Sequence, residues 1–208
     1  MLQSAAVSAL AQVLLLGGVP LFGYWIWQRR RYKRTFTETA RRAGLQLGRP
    51  RYLVYSLLFA AASAASLVIW PPPLEPLIRH GSMYRQFAGL GLGGQAIAMA
   101  FLYGVVQTGF TEELLFRGLI AGSLARRLPI VWANLAQALL FFLPHLGILF
   151  IATETWVWGM LPVIYAVALV LGWVRMQSGS ILGSWLIHGS ANVTVALLVA
   201  ARTHRPPL

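Results

Sequence analysis

Glu112, Glu113 and Arg117 lie in the middle of one apolar run, and two further runs carry Phe141 with His145 and Ser184 with His188 and Asn192, each at a spacing of four. That spacing brings side chains to one face of a helix. The residue types suit acid–base chemistry, in which a carboxylate or an imidazole takes up and passes on a proton. The chain has no Asp and no Cys. A Ser–His–Asp triad, a thiolate nucleophile and Cys-ligated zinc are therefore excluded, and an activated water is the natural nucleophile.

Composition sets the medium in which these residues work. Apolar residues make up 58% of the 208, charged residues 11%, and the mean hydropathy is +0.66, so the class is a polytopic membrane protein. A charged group at bilayer depth costs about 2.5–3.5 kcal/mol on insertion scales, so two adjacent glutamates there need partners. Arg117 is one: it follows Glu113 by four residues, with the acid on the N-terminal side, the favourable order for a helical ion pair. Glu112 points about 100° away and is left available, on a face with Thr108, Phe116 and Gly109. Gly109 is expected to leave room beside it for water or backbone.

The elements that must position these residues are all helices. A span needs roughly 20 apolar residues, and six segments qualify, near 4–28, 52–70, 95–120, 129–151, 157–175 and 180–201. The expected fold is an all-α transmembrane bundle of about six spanning helices. It divides into two N-terminal helices (1–70) with a basic cytoplasmic loop (29–51), a Pro/Gly-rich loop (71–94) that includes Pro71-Pro72-Pro73, a four-helix catalytic core (95–201) and a tail (202–208). The first segment lacks a positive n-region and is expected to be retained.

Of the seventeen Lys and Arg residues, nine fall between Arg29 and Arg51. Without an aromatic stacking pattern this block reads as a face toward anionic lipid headgroups rather than nucleic acid. With it in the cytoplasm, Arg126, Arg127 and Arg175 fall on the same side, Arg79, Arg85, Arg202 and Arg205 fall opposite, and both termini lie outside.

Polar stripes on three spans avoid lipid by facing the bundle interior, so Glu112, His145, His188 and Asn192 are expected in one wet cavity. Each feature also has a plainer role. Glu113 with Arg117 serves as a structural pair, and His145 alone could bond a neighbouring helix. Gln107, Thr108, Asn134, Gln137, Ser184 and Thr194 suit interhelical hydrogen bonds. His80 and His204 are expected to be solvated, and Trp156, Trp158, Trp173 and Trp185 to anchor at the interface.

Taken in chain order, Glu112-Glu113-Leu114-Leu115-Phe116-Arg117-Gly118, Phe141-Phe142-Leu143-Pro144-His145 and His188-Gly189-Ser190-Ala191-Asn192 resemble the motif series of the CAAX protease and bacteriocin-processing family, also called the Abi family. The resemblance covers roughly residues 95–200. It implies an intramembrane endopeptidase of the glutamic type, with Glu112 and His145 activating water, His188 and Asn192 stabilising the oxyanion, and Glu113, Arg117 and Phe141 supporting the site. A zinc site from Glu112, His145 and His188 is the metal alternative; the metal-free mechanism, without a cofactor, is the one expected here.

The implied substrate is a membrane-bound or lipid-modified peptide or protein: a prenylated CAAX protein, a bacteriocin or peptide leader, or a C-terminal sorting tag. The compact size points to a prokaryotic plasma (inner) membrane. Two other classes share these features. A non-catalytic relative, such as an immunity or chaperone-like protein, would tolerate loss of the motifs, and a small proton-coupled transporter would be expected to show repeated halves, which this chain lacks.

Overall fold

The computed structural model describes residues 1–150 and 155–204, and these are helical with no strand. The helices are α1 (Leu2–Tyr32), α2 (Phe36–Arg42), α3 (Pro50–Ile69), α4 (94–124), α5 (Ile130–His145), α6 (Trp156–Ser178) and α7 (Leu182–Thr203). Short 3₁₀ turns occupy Pro76–Ile78, Met83–Phe87 and Leu146–Phe150. The end of the fourth expected span at 151, Arg205 and the tail beyond residue 204 lie outside the described residues.

Five helices are long and apolar enough to cross a membrane: α1, α3, α6, α7, and α5 together with the turn that follows it. The sixth expected span is present as α4 but is not among the five. Its polar residues, from Gln95 through Gln107, Thr108 and Thr111 to Glu112, Glu113 and Arg117, make it less apolar than the others. A helix of this kind must be sheltered by its neighbours rather than by lipid.

Local chemistry explains the ends. The α1 helix widens into a π turn at Val13–Gly18, directly before Pro20, whose ring has no N–H for the ordinary ladder. Thr35 and Glu38 form a full capping box at the start of α2, with Glu38 N–H donating to Thr35 Oγ1 (3.2 Å) and Thr35 N–H to Glu38 Oε2 (2.7 Å). Pro50 opens α3, and Pro71-Pro72-Pro73 follow its end.

The bundle is built around the crossing of α4 and α7. A side-chain carbon on Gly104 would sit 2.7 Å from Val193 N, and one on Gly109 would sit 3.3 Å from Gly189 Cα. Small residues here let two backbones touch, as in membrane helix pairs generally. The room left by Gly109 is taken up by backbone, from Gly104 of its own helix and Gly189 of α7, and by the Trp185 ring. Trp185 differs from its expected interfacial role: its Nε1–H donates to Val105 O (2.7 Å), tying α7 to α4. Trp158 and Trp173 are exposed, as interfacial anchors require, whereas Trp156 lines the central cavity.

Polar residues tie the remaining helices. Gln107 Nε2 donates to Ser8 Oγ and Gln12 Oε1, each at 3.1 Å, holding α1 to α4. Asn134 Nδ2 donates to Leu169 O and Gln137 Nε2 to Ala168 O, each at 2.9 Å, holding α5 to α6. The segment before α4 is packed onto the bundle: Phe87 is fully buried against Met99, Tyr103 and Val199, and His204, expected to be solvated, bonds Gly89 O through Nδ1 (3.0 Å).

The crossing gives a direct test. Gly104→Val places methyls against the α7 backbone, and overpacking of this kind costs about 1–3 kcal/mol or more. The thermal unfolding midpoint in detergent should fall, while Gly93→Val, where an added carbon meets nothing within 4 Å, should leave it in place. Equal midpoints for the two variants would show that α4 and α7 do not touch at Gly104.

Candidate active site

The site begins on α4, which is not an ordinary α-helix where the acids sit. Two π stretches, Leu102–Phe110 and Glu113–Ala121, flank Thr111 and Glu112. In a π turn each backbone N–H reaches the carbonyl five residues back, and the side chains follow: Thr108 Oγ1 donates to Tyr103 O at 3.0 Å. Glu112 itself, between the two wider stretches, keeps ordinary helical dihedrals (φ −70°, ψ −38°).

Glu113 and Arg117 form the expected ion pair at 2.9 Å, both with no exposure to solvent. The Arg117 guanidinium also lies 4.1 Å from the centroid of the Phe141 ring, a cation–π contact. Phe141 meets Phe116 and His188 edge-on (5.1 and 5.9 Å between centroids) and His145 at 4.6 Å. One aromatic ring thus touches the arginine and both histidines.

Glu113 does more than balance Arg117. The same oxygen, Oε1, also receives His188 Nδ1 at 2.9 Å. A carboxylate paired with arginine is an acceptor only, so Nδ1 carries the hydrogen and donates. This fixes the ring, and its other nitrogen, Nε2, faces Glu112 Oε2 at 3.9 Å, beyond direct hydrogen-bond reach. One histidine therefore stands between the two glutamates. His145 is oriented in the same way by backbone: Nδ1 lies 2.8 Å from Phe141 O, and a carbonyl can only accept, so the neutral ring keeps its lone pair on Nε2.

Asn192 sits in a chain of hydrogen bonds. Tyr84 O–H donates to Asn192 Oδ1 (3.1 Å), Asn192 Nδ2 donates to Thr108 Oγ1 (2.8 Å), and Thr108 passes the chain to Tyr103 O. The amide is thereby held in one orientation, with the second Nδ2 hydrogen uncommitted. Sequence reasoning gave no role to Tyr84 or Tyr103. Tyr84 belongs to the irregular segment before α4, where no periodicity marks a residue as inward-facing.

Glu112, His145, His188 and Asn192, from three helices, line one cavity of about 460 Å³. Its far wall is apolar and comes from α6, including Met160, Val163, Ile164 and Val167, and its cover is the turn region from Pro76 to Tyr84. Among the other residues weighed from the sequence, Ser184 is buried and donates to Ile181 O (2.9 Å), and Gln137 serves the α5–α6 contact. Although Glu112, His145 and His188 share the cavity, no three His, Asp or Glu side chains among the described residues are grouped so as to hold a metal ion.

Comparison with known proteins bears on residues 93–194, which match the family model described as type II CAAX prenyl endopeptidase Rce1-like. Neither a curated protein nor a solved structure matches the chain. The matched residues contain every one of the motif side chains that meet in the cavity, from Glu112 to Asn192, so the part of the chain that carries the site is similar to the Rce1-like family, a family of membrane proteases.

Proposed function

We propose that this chain is an intramembrane endopeptidase that cleaves a membrane-bound, lipid-modified peptide with a water activated by Glu112 and His145. The observation that carries the reading is the convergence of Glu112, His145, His188 and Asn192 on one cavity whose opposite wall is apolar. The polar end suits peptide hydrolysis, and the apolar wall suits a prenyl or other lipid chain, in line with the family's name.

In the proposed step, Glu112 takes a proton from water as the oxygen attacks the scissile carbonyl carbon. His145 Nε2, the lone-pair nitrogen, accepts a hydrogen bond from the same water and orients it. The oxyanion that forms is met by the free Nδ2–H of Asn192 and by Nε2–H of His188, a role that requires the His188 ring to carry both protons, one held by Glu113. When the carbon–nitrogen bond breaks, the proton on Glu112 passes to the leaving amine. Glu113 and Arg117 act through His188 and are positioning residues.

The two glutamates separate in experiment. With a prenylated CAAX peptide and purified protein in liposomes, Glu112→Gln should lower cleavage by about 10²–10⁴-fold, the usual contribution of a general base, while the thermal midpoint stays at the wild-type value. Cleavage at the wild-type rate would overturn the assignment.

Glu113→Gln should lower the midpoint as well, because it leaves Arg117 buried without its anion, at about 3–5 kcal/mol for a broken buried pair. A Glu113→Gln protein as stable as wild type would show that Arg117 does not depend on it.

Metal dependence is read independently of both variants. Cleavage should persist after chelator treatment, with no zinc found by elemental analysis; loss of cleavage that added zinc restores would replace the metal-free mechanism.

A further inference from the structure

At the end of the bundle that carries the Arg29–Arg51 block, the guanidinium groups of Arg126 and Arg175 and the backbone carbonyl of Arg42 converge on Gly122 of α4. Arg175 of α6 is 7% exposed, and its guanidinium lies across the Ala43–Gly44 backbone with Nη2 donating to Arg42 O (3.0 Å). Gly44 is required there twice over: its φ is +83°, and a side-chain carbon would come 2.7 Å from Arg175 Nε. The corresponding point on Gly122 is 3.2 Å from Arg175 Nη2 and 3.4 Å from Arg126 Nη1, so two guanidinium groups face one spot. Arg126 Nη2 is steadied by Tyr24 O–H (2.7 Å) and Ser123 Oγ (3.0 Å), and the charges of Arg42 and Arg34 bear on it.

This convergence has no anion of its own. Among the described residues no carboxylate pairs with Arg42, Arg126 or Arg175; Glu38, on the same α2 helix as Arg42, is turned to its capping box with Thr35. Arg175 Nε and Arg42 Nε are buried without a hydrogen-bond partner. Gathering like charges and leaving buried donors unmet is unfavourable by several kcal/mol unless an acceptor completes the set. Guanidinium groups present forked donors that match the oxygens of a phosphate, and two of them face this spot.

We propose that Arg126 and Arg175, with the Arg42 charge beside them, form a discrete site for a phosphate-bearing anion, entered from the side where Arg126 is exposed. Phosphates reach such a position either as lipid headgroups at the helix ends or as free phosphate. The bound anion ties α2, the end of α4 and α6 together.

Native mass spectrometry of the whole chain in detergent tests the site, using phosphatidylglycerol, phosphatidylcholine and inorganic phosphate as probes. Retention of phosphatidylglycerol over phosphatidylcholine identifies the headgroup as the source, and retention of inorganic phosphate identifies the free ion; either supports the site. Arg126→Gln, on an exposed side chain that the fold does not need, should weaken the retained probe about tenfold, the effect of one lost charge-assisted hydrogen bond. Arg175→Gln should do the same if it folds. Arg30→Gln removes equal charge from the exposed face of α1 and should change retention by less than about twofold, since exposed charges are screened. If neither probe is retained, or if Arg30→Gln weakens retention as much as Arg126→Gln, the cluster is diffuse surface charge and the proposal fails.

Discussion

The carboxylate oxygen Glu113 Oε1 accepts from Arg117 Nη1 and from His188 Nδ1, each at 2.9 Å, in a place that water does not reach. Much of the bundle interior follows from this sharing. A charge buried in a low-dielectric setting must be paired, and both charges of the pair lie on α4, so α4 cannot face lipid and has to be wrapped by α1, α5, α6 and α7. Because His188 is the second donor, α7 must lie close enough for its ring to reach Oε1. That closeness is available only where both helices are nearly bare, at Gly104 and Gly109 on one side and Gly189 on the other. Arg117 in turn fixes α5 by lying over Phe141. The ion pair is therefore less a source of net stability than a device that permits one arrangement of these helices.

The π stretches in α4 belong to the same constraint. They flank Glu112 and begin again at Glu113, and the His188 ring places Nδ1 on Glu113 and Nε2 3.9 Å from Glu112. On the proposed mechanism this gap is where substrate atoms enter, since a direct bond between Glu112 and His188 would already have used the acceptor that the water needs. Irregular helix geometry at functional positions is a known pattern.

Several of these features could be read from residues alone. The Glu113–Arg117 pair follows from a spacing of four, the spans follow from hydropathy, and the shared cavity follows from polar stripes that cannot face lipid. What escaped has a common cause: it depends on which helix lies opposite. Trp185 has the composition of an interfacial anchor, but its N–H finds Val105 O. The widening of α4 leaves no mark in its pattern of apolar residues.

Tyr84 shows where the motif-bearing core stops being sufficient. The family match begins at residue 93, yet the cover over the cavity, from Pro76 to Tyr84, lies before it. Phe87 anchors that segment by burial against α4 and α7, and Tyr84 O–H then reaches Asn192 Oδ1. An amide can present either its oxygen or its nitrogen, and the difference decides whether it opposes or stabilises a developing oxyanion. With Tyr84 committed to the oxygen and Thr108 to one hydrogen of Nδ2, the remaining hydrogen is the group the amide can offer. On the proposed reading, the cavity cover therefore sets the polarity of the site it encloses. A displacement of the 76–84 segment that admits substrate would also release the Asn192 oxygen, coupling access to the state of the oxyanion donor.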